Sequence, residues 1–375
     1  MKSEIAMSAR MKEYFDYIES EVARAYSVAN QARSLGLDPD CEVSIPLASN
    51  MAERVEALVG VVASDLTGGK LSERISEIEK ERGGQDWRVA FQIALEVAQE
   101  KFCTFKDKKE ACEVALRVGL AYLTNGVVAS PLEGFVRLEL KKRMDNTGEF
   151  FALFFSGPIR SAGTTATCIF VALADYVRRN MGYAVYDPTE EEVNRYAAEL
   201  EFYHERITNL QYLPSKEEIV FMTQHLPVQI DGDGSEDLEV NNYKDVPRFA
   251  TNRLRNGVCL VIGEGLTQKA SKFYGKFDKY KKELGMKDWE FLEEFVKLQK
   301  NIRSKKKTTE ESKEKNQIEK TRIKLEKTNR NILIDSKTPV EDIKRLSCFC
   351  CFETESSKLD LELKEPDYFK RYQGR

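Results

Sequence analysis

Hydrophobic positions repeat with one period in the first third of the chain and with another just after it. From Tyr14 to Leu35, Phe15, Ile18, Val22, Ala25 and Ala29 recur at spacings of three and four, and Gly36 closes the pattern, which predicts an amphipathic helix. Helical patterns follow over Asn50 to Val62, Leu71 to Glu81, Trp87 to Lys101 and Lys108 to Leu123, interrupted by Gly68-Gly69 and Gly83-Gly84. The period then shortens to two. Between Phe135 and Lys141, alternation sets Phe135, Arg137 and Glu139 on one face and Val136, Leu138 and Leu140 on the other, a strand that pairs across DNTGE with the apolar run Phe150 to Phe155.

Beyond that hairpin the patterns mix. Ile169, Phe170, Leu173, Tyr176 and Val177 have helical spacing. Asp187-Pro188-Thr189-Glu190 reads as a helix start, with a cap residue, proline at the first position and a carboxylate in the first turn. Ser215-Lys216-Glu217-Glu218 reads as a capping box, so helices are predicted over Tyr196 to Ile207 and Ile219 to His225. Val228 to Ile230, Leu238 to Val240 and Gly257 to Gly263 read as strands, and Leu266 to Tyr280 as a helix. Strand, glycine turn and helix occur twice. The fold class expected is α+β: a helical amino-terminal layer over 1–125, a mixed α/β domain over 126–300, and a charged low-complexity tail over 301–375.

Composition narrows the class of protein. At 375 residues with 42% hydrophobic residues, the chain can build real cores. Its net charge of −4 hides an asymmetry: Lys297 to Arg330 holds 13 Lys and Arg against 5 Asp and Glu, which leaves about −12 for the rest. No whole-protein basic face for DNA results, so phosphate contacts would come from local clusters such as Arg178 with Arg179, or Arg253 with Arg255. Each such pair is more often just a solvated helix or turn face. The eight cysteines stand mostly alone in apolar surroundings, as in a reducing cytosol, and the CFCC cluster of Cys348, Cys350 and Cys351 has no second pair at zinc-finger spacing. No apolar run reaches the ~20 residues of a membrane span, and the start lacks a signal-peptide core, so a cytoplasmic location away from membranes is expected.

The stretch from Phe150 to Arg179, FFALFFSGPIRSAGTTATCIFVALADYVRR, sets a buried strand, a glycine loop and a buried helix in succession. Such a loop offers unpaired backbone N–H groups where the helix dipole favours an anion, and Arg160 adds a bidentate phosphate donor. Glycines also occur in strand-to-helix turns for backbone reasons alone. A phosphate loop of the ATPase kind is excluded, because Gly163 is followed by Thr164 and Thr165 rather than by lysine and Ser/Thr. A nicotinamide fingerprint is absent as well.

Here the chain resembles the large subunit of the archaeal D-family DNA polymerase, whose amino-terminal region has a similar GPIRSAG loop. Further blocks agree in order: IPLASNMAERVEALVG from Ile45, LTNGVVASPLEG from Leu123, YHERITNLQYLPS from Tyr203 and DVPRFATNRLRNGVCLVIGEGLTQKA from Asp245. One position departs, since the family has a second glycine where this chain has Thr164. The resemblance covers about Met11 to Lys300 and implies an amino-terminal piece, from a split, truncated or frame-interrupted gene, that lacks the catalytic double-psi barrels and their aspartates. It also implies Mg²⁺ in the complete polymerase but no cofactor on this chain. The implied partners are DNA, the remainder of the large subunit, and a small subunit that supplies 3′-5′ exonuclease activity in the heterodimer. The contact residues expected are Arg160, Ser161, Gly163 and Thr164, with Arg178 and Arg179 behind them and Arg253 and Arg255 as a second cluster. A stand-alone nucleic-acid-binding or assembly module is the alternative.

Neither catalytic nor metal-binding residues are expected. In QIDGDGSEDLEV, a calcium loop counted from Asp231 needs glycine sixth and glutamate twelfth, where the chain has Glu236 and Asn242, so Asp231, Asp233 and Asp237 read as a polar turn between strands. The two histidines, His204 and His225, are too few for a three-histidine metal site, and His204 reads as a hydrogen-bonding helix residue. Lysine and glutamate dominate Lys300 to Arg330, which reads as an exposed charged helix or linker.

Overall fold

A strand buried on both faces organises the fold. The computed structural model describes residues 8–37, 48, 50–84, 86–124, 134–159 and 165–304. The chain divides after Asn301, and nearly all described residues belong to the first unit. There β2 (Glu149–Phe155) is the middle of a three-stranded sheet, antiparallel to β1 (Phe135–Lys142) and parallel to the short β3 (Gln229–Asp231). Phe151, Leu153 and Phe155 enter the main core, whereas Phe150, Ala152 and Phe154 form a second small cluster with Tyr186. Two apolar faces on one strand account for its continuous apolar run. The second face is closed by cations, with the Arg137 guanidinium 3.8 Å from the Phe154 ring centre and that of Arg248 5.1 Å from Phe150.

The alternation expected for β1 is broken by a bulge. Phe135 pairs with Phe155 and Arg137 with Phe154, so Val136 is the extra residue and is exposed, and Phe135 and Leu138 are both buried. The helical layer comprises α1 (Ala9–Ser34), α2 (Met51–Gly60), α3 (Lys70–Arg82), α4 (Trp87–Ala98) and α5 (Lys108–Leu123). Next come α6 (Ala166–Asn180), α7 (Glu190–Arg206) and α8 (Lys216–His225) between β2 and β3. One hydrophobic core runs from Ala52 to Phe295, so α2–α5 and the sheet share it. The protein is mostly helical with a small mixed sheet, an α+β architecture.

Four expectations are corrected. Gly257 to Gly263 is no strand: it forms α9 (Asn256–Leu260) and the start of a π-helical segment, Val261–Thr267, and the helix expected from Leu266 begins only as α10 (Ala270–Phe277). A run of Val, Cys, Leu, Val and Ile is apolar on every side, and a helix buried all round has no polar face to reveal its period. Leu238 to Val240 is reduced to an isolated Glu239–Arg253 bridge. The cap of α7 is Thr189, in a capping box with Glu192, while Asp187 pairs with Arg248 and accepts from the Met144 amide. The Ser215–Glu218 capping box forms as expected.

Two buried carboxylates make part of the stability acid-sensitive. Burial alone would raise Glu96, but both its oxygens accept from Arg74 at 2.9 Å, and the carboxyl is held below its ordinary 4.5. Glu218 is likewise held down against burial by Tyr212, the Ser215 amide and Gln299. A carboxyl with a lowered folded pKa stabilises the fold fully above its unfolded value, and that contribution is lost as pH falls through the folded one. Asp175 has the opposite sign, because burial raises it despite Arg178 and Trp289, so it favours the fold more as pH falls. Urea midpoints measured downward from about pH 4.5 are expected to fall less steeply in Glu218→Gln than in the wild type; equal slopes would contradict the assignment.

Candidate nucleic-acid interface

The glycine loop leaves β2 at Phe155 and enters α6 at Ala166. Arg160, Ser161, Gly163 and Thr164 lie outside the described residues, as do Cys41, the CFCC cluster and the sequence from 305 onward. What is described is the frame of the loop, and glycine builds much of it. The Ser156 amide donates to the Gly134 carbonyl at 2.9 Å, and Gly134 has φ +101°, a conformation that an L side chain strains to adopt. A Cβ on Gly257 would lie 2.1 Å from the Phe155 carbonyl oxygen, and one on Gly232 would lie 2.8 Å from it. On the helix side, a Cβ on Gly265 would meet Thr167 Cγ2 at 2.7 Å, and the Thr167 hydroxyl donates to the Ile159 carbonyl.

The first turn of α6 therefore rests against the π-helical segment. Thr165 precedes it as a cap residue without a side-chain cap bond. Cys168 donates to the Gly265 carbonyl, and burial pushes its thiol up to about 12 against the pull of the Lys269 charge. Such a thiol is no nucleophile at neutral pH. Lys269 is half-buried, and its charge acts on the Cys168 thiol in the first turn of α6. Sequence reading did not single out Lys269 or the glycine frame. The signal was available in GVCLVIGEG, since glycines inside an apolar run mark close backbone approach.

The described arginines are placed as follows. Arg178 is buried and its guanidinium is taken up by Asp175, Asp288 and the Tyr183 carbonyl. Arg179 donates to the Gly285 and Leu284 carbonyls. Together they tie the end of α6 to the turn before Trp289, whose Nε1 donates to Asp175 at 2.9 Å. Arg253 is half-exposed and pairs with Asp237. Arg255 is 0% exposed: it donates to Glu199 through Nε and Nη2 and to Asp231 through Nη1, and its own amide also reaches Glu199. Burial would lower its pKa, but the two carboxylates push it well above the ordinary arginine value.

The three aspartates of the acidic run are each held by cations. Asp231 ends β3 and binds Lys141 and Arg255, Asp233 binds Arg137, and Asp237 binds Arg253. Among the described residues no group of three or more His, Cys, Asp or Glu is placed to hold a metal ion. His204 accepts from the Leu210 amide at 2.9 Å, the hydrogen-bonding role expected of it. Among the described residues no helix is long and apolar enough to cross a membrane.

Fold and site thus define an α+β module in which β2 and α6 flank the loop over a glycine-built floor, with its charged interior committed to structure. The sequence family described as DNA polymerase II large subunit DP2, N-terminal, matches residues 13–298. The chain belongs to that family. Its relatives include the DNA polymerase II large subunits of Nanoarchaeum equitans, 45% identical over 292 residues, and of Pyrococcus abyssi, 40% identical over 288. These alignments cover 78% and 76% of this chain but 23% and 19% of the relatives, so the chain spans less than a quarter of their length.

Proposed function

We propose that this chain is the amino-terminal scaffold portion of an archaeal replicative DNA polymerase large subunit, contributing DNA or subunit contacts to the assembled enzyme. The observation that carries this reading is the family match over 13–298, within subunits four to five times as long. Template-directed nucleotide transfer with Mg²⁺ belongs to the assembled enzyme, as does the exonuclease of the small subunit. On this reading Arg160, Ser161, Gly163 and Thr164 meet a phosphate or a neighbouring subunit. Of the described candidate arginines Arg253 is the exposed one, whereas Arg178 and Arg255 are buried in ion pairs.

The test is primer extension by the separately expressed remainder of the large subunit plus the small subunit, with and without this chain. Extension is expected to require the chain, and Arg160→Ala to reduce its stimulation about tenfold at moderate salt, less at low salt, where remaining cations compensate. If the chain neither binds nor changes extension, a stand-alone module is the better description.

A further inference from the structure

Helix α1 carries a buried-type seam that no described residue covers. Its apolar positions Met11, Phe15, Ile18, Val22, Ala25, Ala29 and Ala32 follow spacings of four and three in strict alternation over 26 residues, the a/d repeat of a helix that packs on another helix. Yet none of its residues is buried, none belongs to the core or to the side chains packed against it, and Phe15 and Ile18 are 48% and 40% exposed. The family match begins at residue 13, so nearly all of this helix lies within the family region, in subunits of which more than three-quarters lies outside the aligned segment.

We propose that α1 docks, through this seam, on an apolar helix of the polymerase large subunit outside the family-matched segment. The inference rests on the polymerase-subunit reading and names the surface by which this segment meets the rest of the subunit. The seam tapers from Phe15 and Ile18 to Ala25, Ala29 and Ala32, so a partner helix approaches most closely at the alanine end. A second copy of the chain fits less well. Antiparallel self-pairing would set Phe15 against Ala32 and Ile18 against Ala29, but it would also set Lys12 against Arg33, and parallel self-pairing offers no pair of opposite charges at the flanking positions.

The experiment measures binding of the full chain to the separately expressed remainder of the large subunit, with mass determination of the chain alone. The variants are Ile18→Glu with Ala25→Glu on the seam, and Ser20→Glu with Ser27→Glu on the opposite face; α1 is exposed, and unchanged thermal melting checks that the rest stays folded. The seam variant is expected to weaken binding more than about tenfold and the control less than about twofold. Unchanged binding by the seam variant overturns the proposal while leaving the subunit reading intact. Absence of binding by the wild type overturns both. A wild-type chain that is dimeric alone and becomes monomeric in the seam variant assigns the seam to a second copy instead.

Discussion

Glu199→Ala is expected to destabilise the fold by about 3–5 kcal/mol, the range for breaking a buried ion pair from one side. Glu199 is fully buried in α7 and receives three donors from Arg255, at 2.7 Å from its amide, 2.6 Å from Nη2 and 3.2 Å from Nε. Its other neighbour is Arg195, also buried, whose Nε lies 3.5 Å away with no hydrogen-bond partner. Removing the carboxylate leaves Arg255 sharing Asp231 with Lys141, and leaves Arg195 with only the Tyr243, Asn252 and Arg253 carbonyls. Three cations, two of them buried arginines, then face one anion. Chemical denaturation of wild type, Glu199→Ala and Glu199→Gln reads the effect. Glutamine keeps the shape and an acceptor but not the charge, so it is expected to fall between the other two. A loss below about 1 kcal/mol for alanine would mean that solvent enters the cluster and the pairing is weak. Because Arg255 stands two residues before Gly257, the same variant is expected to loosen the floor of the glycine loop, visible as faster amide exchange at Phe155 and Ser156.

Helix positions were legible where one face met water and the other met the core. α5 and α8 carry capping carboxylates or hydroxyls and a clear stripe, and both were expected within a few residues of where they lie. The helical run after Asn256 was not legible, because a helix surrounded by core shows no polar face. In α1 the stripe was legible but its burial was not, since period tells which residues would face a partner and not whether one is present. The candidate site divides in the same way. The loop sequence announced a strand-to-helix turn, and a charge count announced Arg178 and Arg255. Burial then depends on where the chain places Asp288, Glu199 and Asp231, which lie 110, 56 and 24 residues from the arginines they pair with. Local charge patterning carries no information about partners fifty residues away. The glycine frame escaped for a related reason: each glycine is ordinary in its own segment, and only the closeness of the Phe155 and Thr167 positions shows what a methyl group would strike.

That closeness supports the other large effect. Gly257→Ala is expected to cost about 3 kcal/mol or more, although alanine is the better helix former by about 1 kcal/mol and Gly257 lies inside α9. Its Cβ would fall 2.1 Å from the Phe155 carbonyl oxygen, 2.6 Å from the carbonyl carbon and 2.8 Å from the Ser156 carbonyl carbon. All three are backbone atoms, so no rotamer change relieves the overlap. Either α9 or the end of β2 must move, and β2 is fixed by ladders on both sides. Gly275→Ala in α10 supplies the contrast: nothing lies within 4 Å of its added methyl group, so propensity acts alone and the variant is expected to gain about 0.5–1 kcal/mol. Opposite signs for one chemical change at two helical glycines separate close approach from propensity. In primer extension, Gly257→Ala is expected to weaken the chain's contribution at a temperature where the variant is still folded, because the shifted β2 end carries the glycine loop with it, whereas Gly275→Ala is expected to leave extension unchanged. Stability changes of the same sign at both positions would show that α9 accommodates the methyl group, and that the floor of the loop is not built to the tolerance of a single carbon atom.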